Sequence, residues 1–510
     1  MPDREGPPGR YRRVVAPGDR EATFHLINGV TLKGGYAGLG ELDPDLRDIE
    51  LYETILSGDL NNDDIKIGDI EVDGPWDLAA EPTRAENSYH VVTGSRTDDS
   101  AILDGFMITA GNSNGPTGPK DDPYKFKSGS GMCNYYGSPT VVNCTFTGNS
   151  AYGAGGMKNE SANPTVVNCT FNRNSGRGMV NSKSSITLTN CTFIGNTDSG
   201  MGNGESNLTL TNCTFSDNRS IGSGGGIYNH WRDTLNLTNC TFIRNSADTG
   251  GGIDGGTVTL TDCTFIANKA LQGGGMWSDL SILTNCTFIA NKVSERGGGM
   301  KSGLDDTMSN CTFIGNSAGI CGGGIYMFAS DLILTNCTLT GNWAPKGNAL
   351  ASDEFFDAPS NVELKNCIIW CGGNEIWNDD GSSITISYSD IQGGQTGIYD
   401  PYGVVIWGQG NIDADPLFAD PGHWVDMNDP NIMVEPNDLN AVWIVGDYHL
   451  KSEAGRWDPN SESWVIDDVT SPCIDAGDPL TPVMYEPHPR GCFINMGAYG
   501  GTEKASKSPF

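Results

Sequence analysis

A column of residues with possible binding chemistry follows a repeated segment of up to three glycines and then Met or Ile, shortened to Gly178-Met179 and Gly200-Met201 in two repeats. The residue directly after the Met or Ile is, from one repeat to the next, Lys158, Val180, Gly202, Tyr228, Asp254, Trp277, Lys301 and Tyr326. Aromatic rings can stack on sugars, while charged groups can hydrogen-bond to their hydroxyls. The later part of the column therefore predicts a polysaccharide-binding face, with Tyr228, Trp277 and Tyr326 in contact with the glycan. The alternative is an ordinary mixed outer surface.

An insertion after this column's first aromatic residue adds further candidates, His230, Trp231 and Arg232. We expect it to form a lip over one end of the face, with Trp231 as another substrate-binding residue. A polysaccharide lyase needs a base that removes the proton alpha to a uronate carboxyl and a cation that neutralises the carboxyl. Lys301 or His230 could be the base, and Arg232 or Ca²⁺ could be the cation.

A glycoside hydrolase would instead need two carboxylates that flank the scissile bond. Asp254 has no carboxylate partner in its own column. Among enzymes, a lyase is therefore favoured over a hydrolase, although the sequence does not establish catalysis. A non-catalytic surface adhesin or structural protein remains an alternative.

A second kind of chemistry is indicated by the segment that begins at Asp59. Asp59, Asn61 and Asp63 place oxygen-bearing side chains at alternate positions, as in calcium-binding loops. The segment lacks the later glycine and glutamate of an EF-hand. The sequence predicts a Ca²⁺ site formed by these three residues, and the alternative is a turn rich in Asn and Asp.

These candidates depend on a repeat that runs through the middle of the chain. Nine segments read Asn/Asp-Cys-Thr-Phe/Leu, and a tenth at Cys367 is degenerate. The cysteines of successive segments lie 22 to 30 residues apart. Apolar residues alternate with threonine, which is the period of a β-strand. The triple glycines argue against a helix in each unit, so leucine-rich repeats are excluded. We predict an all-β fold, a single-stranded right-handed parallel β-helix of ten or more coils.

Stacking of such coils would place like residues above one another. The cysteines would then form one buried column and the phenylalanines another, while the asparagines before each cysteine would occupy corners. A column with one cysteine in each coil predicts mostly reduced thiols. Cys367 with Cys371, and Cys473 with Cys492, are the better candidates for disulfides.

Composition limits the partners of this 510-residue chain. It has 31 Lys and Arg against 63 Asp and Glu, a net charge of -32. Such a surface repels nucleic acids, and it also repels anionic glycans unless Ca²⁺ bridges the two. No apolar stretch is long enough for a membrane span. We expect a polysaccharide or cell-surface glycan as the partner. We also expect the protein itself to be a monomer.

The Asn-Cys-Thr-Phe and Gly-Gly-Gly-Met units resemble those of secreted bacterial right-handed β-helix repeat proteins. These proteins are related to pectate-lyase-like folds and to polymorphic outer-membrane protein repeats. The similarity includes residues 19–24, the Leu103-Asp104-Gly105-Phe106 segment, and the closing segments at 415–418, 471–477 and 496–499. It implies use of the outer face of the Gly-Gly-Gly-Met strand and a secreted or cell-surface location. No export signal precedes residue 19, so we expect that the natural chain begins further upstream.

Four regions are predicted. They are a truncated or disordered segment at 1–23, N-terminal coils with an acidic Pro-rich loop at 24–128, the regular repeats at 129–371, and irregular coils with a cap at 372–510.

One further alternative uses a different face. The threonine after each cysteine of the repeat would form an outward ladder, as in solenoids that bind ice or crystal surfaces: Thr145, Thr170, Thr192, Thr214, Thr241, Thr264, Thr287, Thr312 and Thr338.

Overall fold

The computed structural model describes residues 10–11, 19–65, 77–116, 126–328, 330–352, 360–379, 381–483 and 485–509. The chain is an all-β parallel solenoid of about 11 turns, as the sequence predicts. It divides into two compact units. Unit 1 comprises Met1–Ala247 with Gly252–Gly256, and unit 2 comprises Asp248–Gly251 with Thr257–Phe510.

Three parallel ladders form the coils of unit 1, and we name each after its typical inward residue. The methionine ladder contains Phe24–His25, Val92–Thr93, Met132–Tyr135, Ser150–Glu160, Ser175–Ser182, Met201–Gly204, Ile227–Asn229 and Ile253–Asp254. The leucine ladder contains Thr31–Lys33, Ile102–Asp104, Thr140–Val142, Thr165–Val167, Ser185–Thr189, Asn207–Thr211 and Thr234–Thr238. The phenylalanine ladder contains Arg10–Tyr11, Ile55–Ser57, Met107–Thr109, Thr145–Thr147, Thr170–Asn172, Thr192–Ile194, Thr214–Ser216 and Thr241–Ile243.

Short elements complete unit 1. Asn112–Ser113 pairs with the start of Ser150–Glu160, and the described helices are the α-helix Asp77–Ala80 and the 3-10 helix Pro82–Arg84.

The coils of unit 1 are held by columns of identical residues. Phe171, Phe193 and Phe215 are fully buried, and their rings stack with centroids 4.6–4.7 Å apart. Asn190, before Cys191, has a φ of +53°, a left-handed conformation that asparagine tolerates better than most residues. The corner between the leucine and phenylalanine ladders therefore falls at the asparagine, as predicted.

A second column of asparagines in unit 1 is buried, and the sequence analysis did not identify it. Asn174 Nδ2 donates to Asn196 Oδ1 at 3.0 Å, and Asn196 Nδ2 donates to Asn218 Oδ1 at 2.9 Å. The same amides donate to main-chain carbonyls, for example from Asn196 to Phe171 at 3.0 Å. These amides satisfy buried main-chain groups where the coil turns after the phenylalanine ladder.

Unit 2 has the same three ladders. Its methionine ladder contains Met276–Thr284, Met300–Ser309, Ile325–Met327, Leu350–Ser352, Ile376–Asn378 and Ile398–Tyr399. Its leucine ladder contains Thr257–Thr261, Asp331–Thr335, Asn361–Lys365, Ser383–Ser387 and Val405–Trp407. The last five residues of Met276–Thr284 and of Met300–Ser309 also belong to this ladder. Its phenylalanine ladder contains Thr264–Ile266, Thr287–Ile289, Thr312–Ile314, Thr338–Thr340, Ile368–Trp370 and Asp390–Ile391. A short fourth ladder contains Lys269–Gln272, Lys292–Arg296 and Ser317–Ala318, and a 3-10 helix spans Gly394–Gly397.

After the last coil, unit 2 continues in short antiparallel strands. These are Phe418–Asp420 with Asp447–Leu450, His423–Asp426 with Asp429–Met433 and Ala441–Ile444, and Arg456–Asp458 with Ser463–Val465. This C-terminal segment was expected to close the end of the solenoid. It packs on the outer face of the phenylalanine ladder, where Ile314 and Ile368 form an apolar cluster with Tyr448 and Met496, and its role as a cap stays a prediction. Outward residues such as Ile314 and Ile368 offer an apolar surface for this packing.

That packing buries two members of the threonine ladder, Thr312 and Thr338. Thr338 Oγ1 accepts a hydrogen bond from the main-chain N–H of Ala498 at 2.9 Å. In unit 2, therefore, these threonines do not form the exposed array that an ice-binding face requires.

All fifteen cysteines are free thiols, and the cysteine column is buried. Cys169 Sγ lies 3.3 Å from the carbonyl oxygen of Val167, to which it donates. Cys367 lies in the column, whereas Cys473 donates to the Asp390 carboxylate at 3.1 Å. The proposed disulfides at these residues are therefore not formed. Among the described residues, no helix is long and apolar enough to cross a membrane.

Candidate functional site

A cleft of about 430 Å³ lies on the outer face of the methionine ladder in unit 1. Its walls combine aromatic, apolar, basic and acidic side chains: Ser128, Tyr152, Gly153, Lys158, Glu160, Arg177, Val180, Ser182, Asp198 and Ile221. The Tyr152 side chain is 58% exposed, so its ring is accessible from solvent. The cleft occupies the early part of the column, whereas the sequence analysis favoured the later part.

Two adjacent strands position the cleft residues. In Ser150–Glu160 and Ser175–Ser182, Met157 pairs with Met179, and both side chains are buried. Because side chains alternate along a strand, the next residue, Lys158, faces outward into the cleft. Glu160 lies two positions further along on the same face, and Lys158 Nζ is 4.0 Å from Glu160 Oε2.

Arg177 is the second cation of the cleft. Its Nη2 is 3.5 Å from Asp198 Oδ2, and its Cζ is 5.9 Å from the centre of the Tyr228 ring. Its Nε is buried and has no hydrogen-bond partner among the described residues. Burial raises the pKa of Asp198, and the nearby Arg177 charge opposes that rise. The site therefore presents a guanidinium donor that an acceptor from a ligand could satisfy.

The predicted residues of unit 1 occupy different environments. Tyr228 is half-buried beside Arg177, and its register partner Asp254 is 7% exposed. In the inserted lip, Trp231 is exposed and stacks with Arg232, whose Cζ is 4.1 Å from the ring centre. The His230 ring lies 5.7 Å from that of Trp231. The structure thus connects Tyr228 to the cleft through Arg177.

In unit 2, Lys301 pairs in register with Trp277. Lys301 Nζ donates to Gln272 Oε1 at 2.7 Å and lies 4.1 Å from the Trp277 ring and 4.7 Å from the Phe328 ring. The residue is 6% exposed. Lys301 is therefore about as buried as Lys158 of the cleft, which is 5% exposed, and its role as a catalytic base stays a prediction.

Tyr326 was expected to offer an exposed ring, and the structure corrects that expectation. The residue is 1% exposed and packs with Cys321 and Ala351, and with the flanking Trp377. A buried ring cannot stack on a sugar, so Tyr326 belongs to the packing of unit 2.

Two aromatic residues of unit 2 were missed. Trp377 and Tyr399 follow the inward residues Ile376 and Ile398, and their rings stack with centroids 3.8 Å apart. They continue the outward column. Their strands lack the preceding triple glycine, which is why the pattern did not reveal them.

The predicted metal ligands are partly brought together. Asp59 and Asp63 lie in one group of carboxylates, which also contains Asp64 and Glu86. Asn61, the third predicted ligand, is exposed. Glu86 comes from a separate segment, so only the folded chain could identify it.

Comparisons with known proteins agree with this architecture. The model of the right-handed β-helix region matches residues 93–203, 123–265 and 179–318. The chain is a right-handed β-helix repeat protein. This confirms the family resemblance and the fold class predicted from the repeat.

Two shorter matches lie in unit 2 of this β-helix protein. A Chlamydia polymorphic membrane protein repeat matches residues 310–327, and a disaggregatase-related model matches residues 421–477, within the C-terminal segment. Among solved structures, the pectate lyase Pel9A is similar at 11% identity with a TM-score of 0.38, over 79% of this chain and 96% of that chain. No curated protein matches the chain at a significant level.

Proposed function

We propose that this β-helix protein is extracellular or cell-surface and binds an extended polysaccharide in the unit 1 cleft. The observation that carries the proposal is the Arg177 guanidinium, held in the cleft with an unsatisfied buried Nε. A buried donor without a partner is unfavourable, and an oxygen-rich ligand would relieve that cost. Sugars bearing hydroxyl or carboxylate groups provide such oxygens.

The composition of the cleft supports a glycan in particular. Tyr152 offers an accessible ring for stacking, while Lys158 and Glu160 offer a donor and an acceptor for hydroxyls. Aromatic stacking combined with polar groups of both kinds is typical of a sugar subsite.

Charge bears on the kind of glycan. The whole chain carries a net charge of -32, which repels polyanions. The cleft itself contains two cations, Lys158 and Arg177, beside two carboxylates, Glu160 and Asp198. The local balance is therefore compatible with a uronate-containing chain, with Arg177 paired to its carboxylate.

A more specific hypothesis is that the protein cleaves a uronate-containing glycan by β-elimination. Lys158 would remove the proton alpha to the uronate carboxyl while Arg177 neutralises that carboxyl. The C–H electrons would form a carbon–carbon double bond as the glycosidic C–O bond breaks. The departing oxygen would take its proton from solvent water.

A panel of neutral and uronate polysaccharides tests both hypotheses. Affinity electrophoresis measures binding, and the absorbance of unsaturated ends measures β-elimination. Tyr152→Ala should weaken retention. Tyr136→Ala is the matched control because that ring is 60% exposed and lies outside the cleft residues. Equal retention of the two variants would contradict binding in the cleft. Retention without unsaturated products would favour the non-catalytic adhesin.

A further inference from the structure

Four carboxylates meet beside the first coils of unit 1. Asp59, Asp63, Asp64 and Glu86 each place an oxygen within 4.8 Å of the others. Three come from the loop after the strand Ile55–Ser57, and Glu86 follows the 3-10 helix. Asp59 Oδ1 accepts the main-chain N–H of Asp63 at 3.3 Å, which draws the loop around the group.

A single arginine faces this acidic group at ion-pair distance within the described chain. Arg84 Nη1 is 3.4 Å from Asp64 Oδ2. Arg84 Nη2 is committed elsewhere, since it donates to the carbonyl oxygen of Gly148 at 2.7 Å. Among the described residues, one partly committed cation thus faces four carboxylates.

An independent observation comes from Asn87, which is fully buried next to the group. Its Nδ2 donates to Asp64 Oδ2 at 2.8 Å, so the amide is directed into the cluster. Its Oδ1 is buried and has no hydrogen-bond partner among the described residues, and the same is true of Asp64 Oδ1 and Glu86 Oε1. Two buried carboxylate oxygens of the group and the amide oxygen of the adjacent Asn87 thus lack donors, and a cation could satisfy such acceptors.

We propose that Asp59, Asp63, Asp64 and Glu86 bind one Ca²⁺, with the amide oxygen of Asn87 as a further ligand. A set made only of oxygens, without histidine or cysteine, suits a hard cation. An irregular loop rich in carboxylates suits Ca²⁺ better than Mg²⁺, which requires near-octahedral geometry. The Asn87 amide would rotate by half a turn on binding, because its oxygen and nitrogen are nearly equivalent in shape.

The position of the group assigns the ion a structural role. Arg20 Nε donates to the carbonyl oxygen of Asn87 at 2.7 Å, and its Nη2 donates to that of Asn112 at 2.8 Å. The segment that contains Asn87 is therefore attached to the first coils of unit 1. A Ca²⁺ shared between this segment and the loop at Asp59 would cross-link them and stabilise the N-terminal coils.

Isothermal titration calorimetry of the full chain with CaCl₂, after treatment with a chelator, tests the site. We expect one site, with affinity reduced at least about tenfold in Asp63→Asn/Glu86→Gln. Asp98→Asn is the control, because Asp98 Oδ1 also accepts a main-chain N–H, that of Ser100, but lies outside the group.

Thermal unfolding supplies a second readout. Ca²⁺ should raise the unfolding midpoint of the wild-type protein and of the control by several degrees, and that of the double variant much less. Absence of calcium binding in the millimolar range, or equal binding by the wild-type protein and the double variant, would overturn the proposal. Preference for Mg²⁺ over Ca²⁺ would also overturn the assignment of the ion.

Discussion

The Arg177 side chain lies across Gly202 in the neighbouring coil. A β-carbon at position 202 would be 2.7 Å from Arg177 Cδ and 2.9 Å from its Nε. The absence of a side chain at Gly202 therefore allows the guanidinium to lie over the methionine ladder. Gly202, a member of the outward column, thus helps to position the Arg177 guanidinium in the cleft.

Gly202→Ala is accordingly expected to displace Arg177 without removing it. If a charge-assisted hydrogen bond to the glycan is lost, affinity should fall about 10- to 100-fold. Gly204→Ala is a matched control, because a β-carbon at position 204 would have no atom within 4 Å. Affinity electrophoresis or calorimetry with the retained glycan measures both. Equal affinities would show that the position of Arg177 does not matter for binding.

The phenylalanine stack should dominate the stability of unit 1. Phe193 is fully buried between Phe171 and Phe215, with ring centroids 4.7 and 4.6 Å away. Phe193→Ala should lower the free energy of unfolding by about 3–5 kcal/mol, since it leaves a cavity between two rings. Phe193→Leu keeps much of the volume and should cost less than half as much. Denaturant unfolding of both variants measures the difference, and similar losses would argue against the cavity.

The attachment of the C-terminal segment can be tested at Gly341. A β-carbon there would be 2.2 Å from Trp443 Cη2, and the residue has a φ of +62°. Gly341→Ala should displace Trp443 and make residues 418–509 more susceptible to proteolysis. Gly195→Ala isolates the backbone strain, because Gly195 has a φ of +61° but its nearest neighbour is Arg173 Cγ at 3.6 Å. If both variants are cleaved equally in this segment, Trp443 is not what fixes it.

Asp306 should make unfolding of unit 2 depend on pH. Burial raises its pKa to about 6 from a usual 3.8, although the hydroxyls of Ser281 and Ser302 donate to it. The folded state therefore holds a proton that the unfolded state releases between these pH values. Stability from this group is greatest below about pH 4 and falls as pH rises towards 6.

The shift corresponds to about 2–3 kcal/mol lost between pH 4 and pH 7. Asp306→Asn should remove this pH-dependent loss of the free energy of unfolding, as measured by denaturant unfolding at pH 4 and pH 7. Asp305→Asn, at the exposed neighbouring position, should retain it. Identical pH dependence in the wild-type protein and Asp306→Asn would contradict this role.

The repeat, the strand period, the corners and the inward columns could all be predicted from the amino-acid sequence. Each of these depends on contacts between equivalent positions of adjacent coils, so a local pattern such as Asn190-Cys191-Thr192-Phe193 contains the necessary information. The outward column could likewise be read from one position in each repeat.

The accessibility of the outward residues and the pairing of charges became known from the folded chain. Tyr326 and Thr338 have outward positions but are covered, in the latter case by a segment about 160 residues later in the chain. The Arg177–Asp198 pair and the addition of Glu86 to the Asp59 group depend on how corners and loops of different length fold over the coils. Such contacts are set by loop geometry outside the repeat, and the periodic pattern contains no record of them.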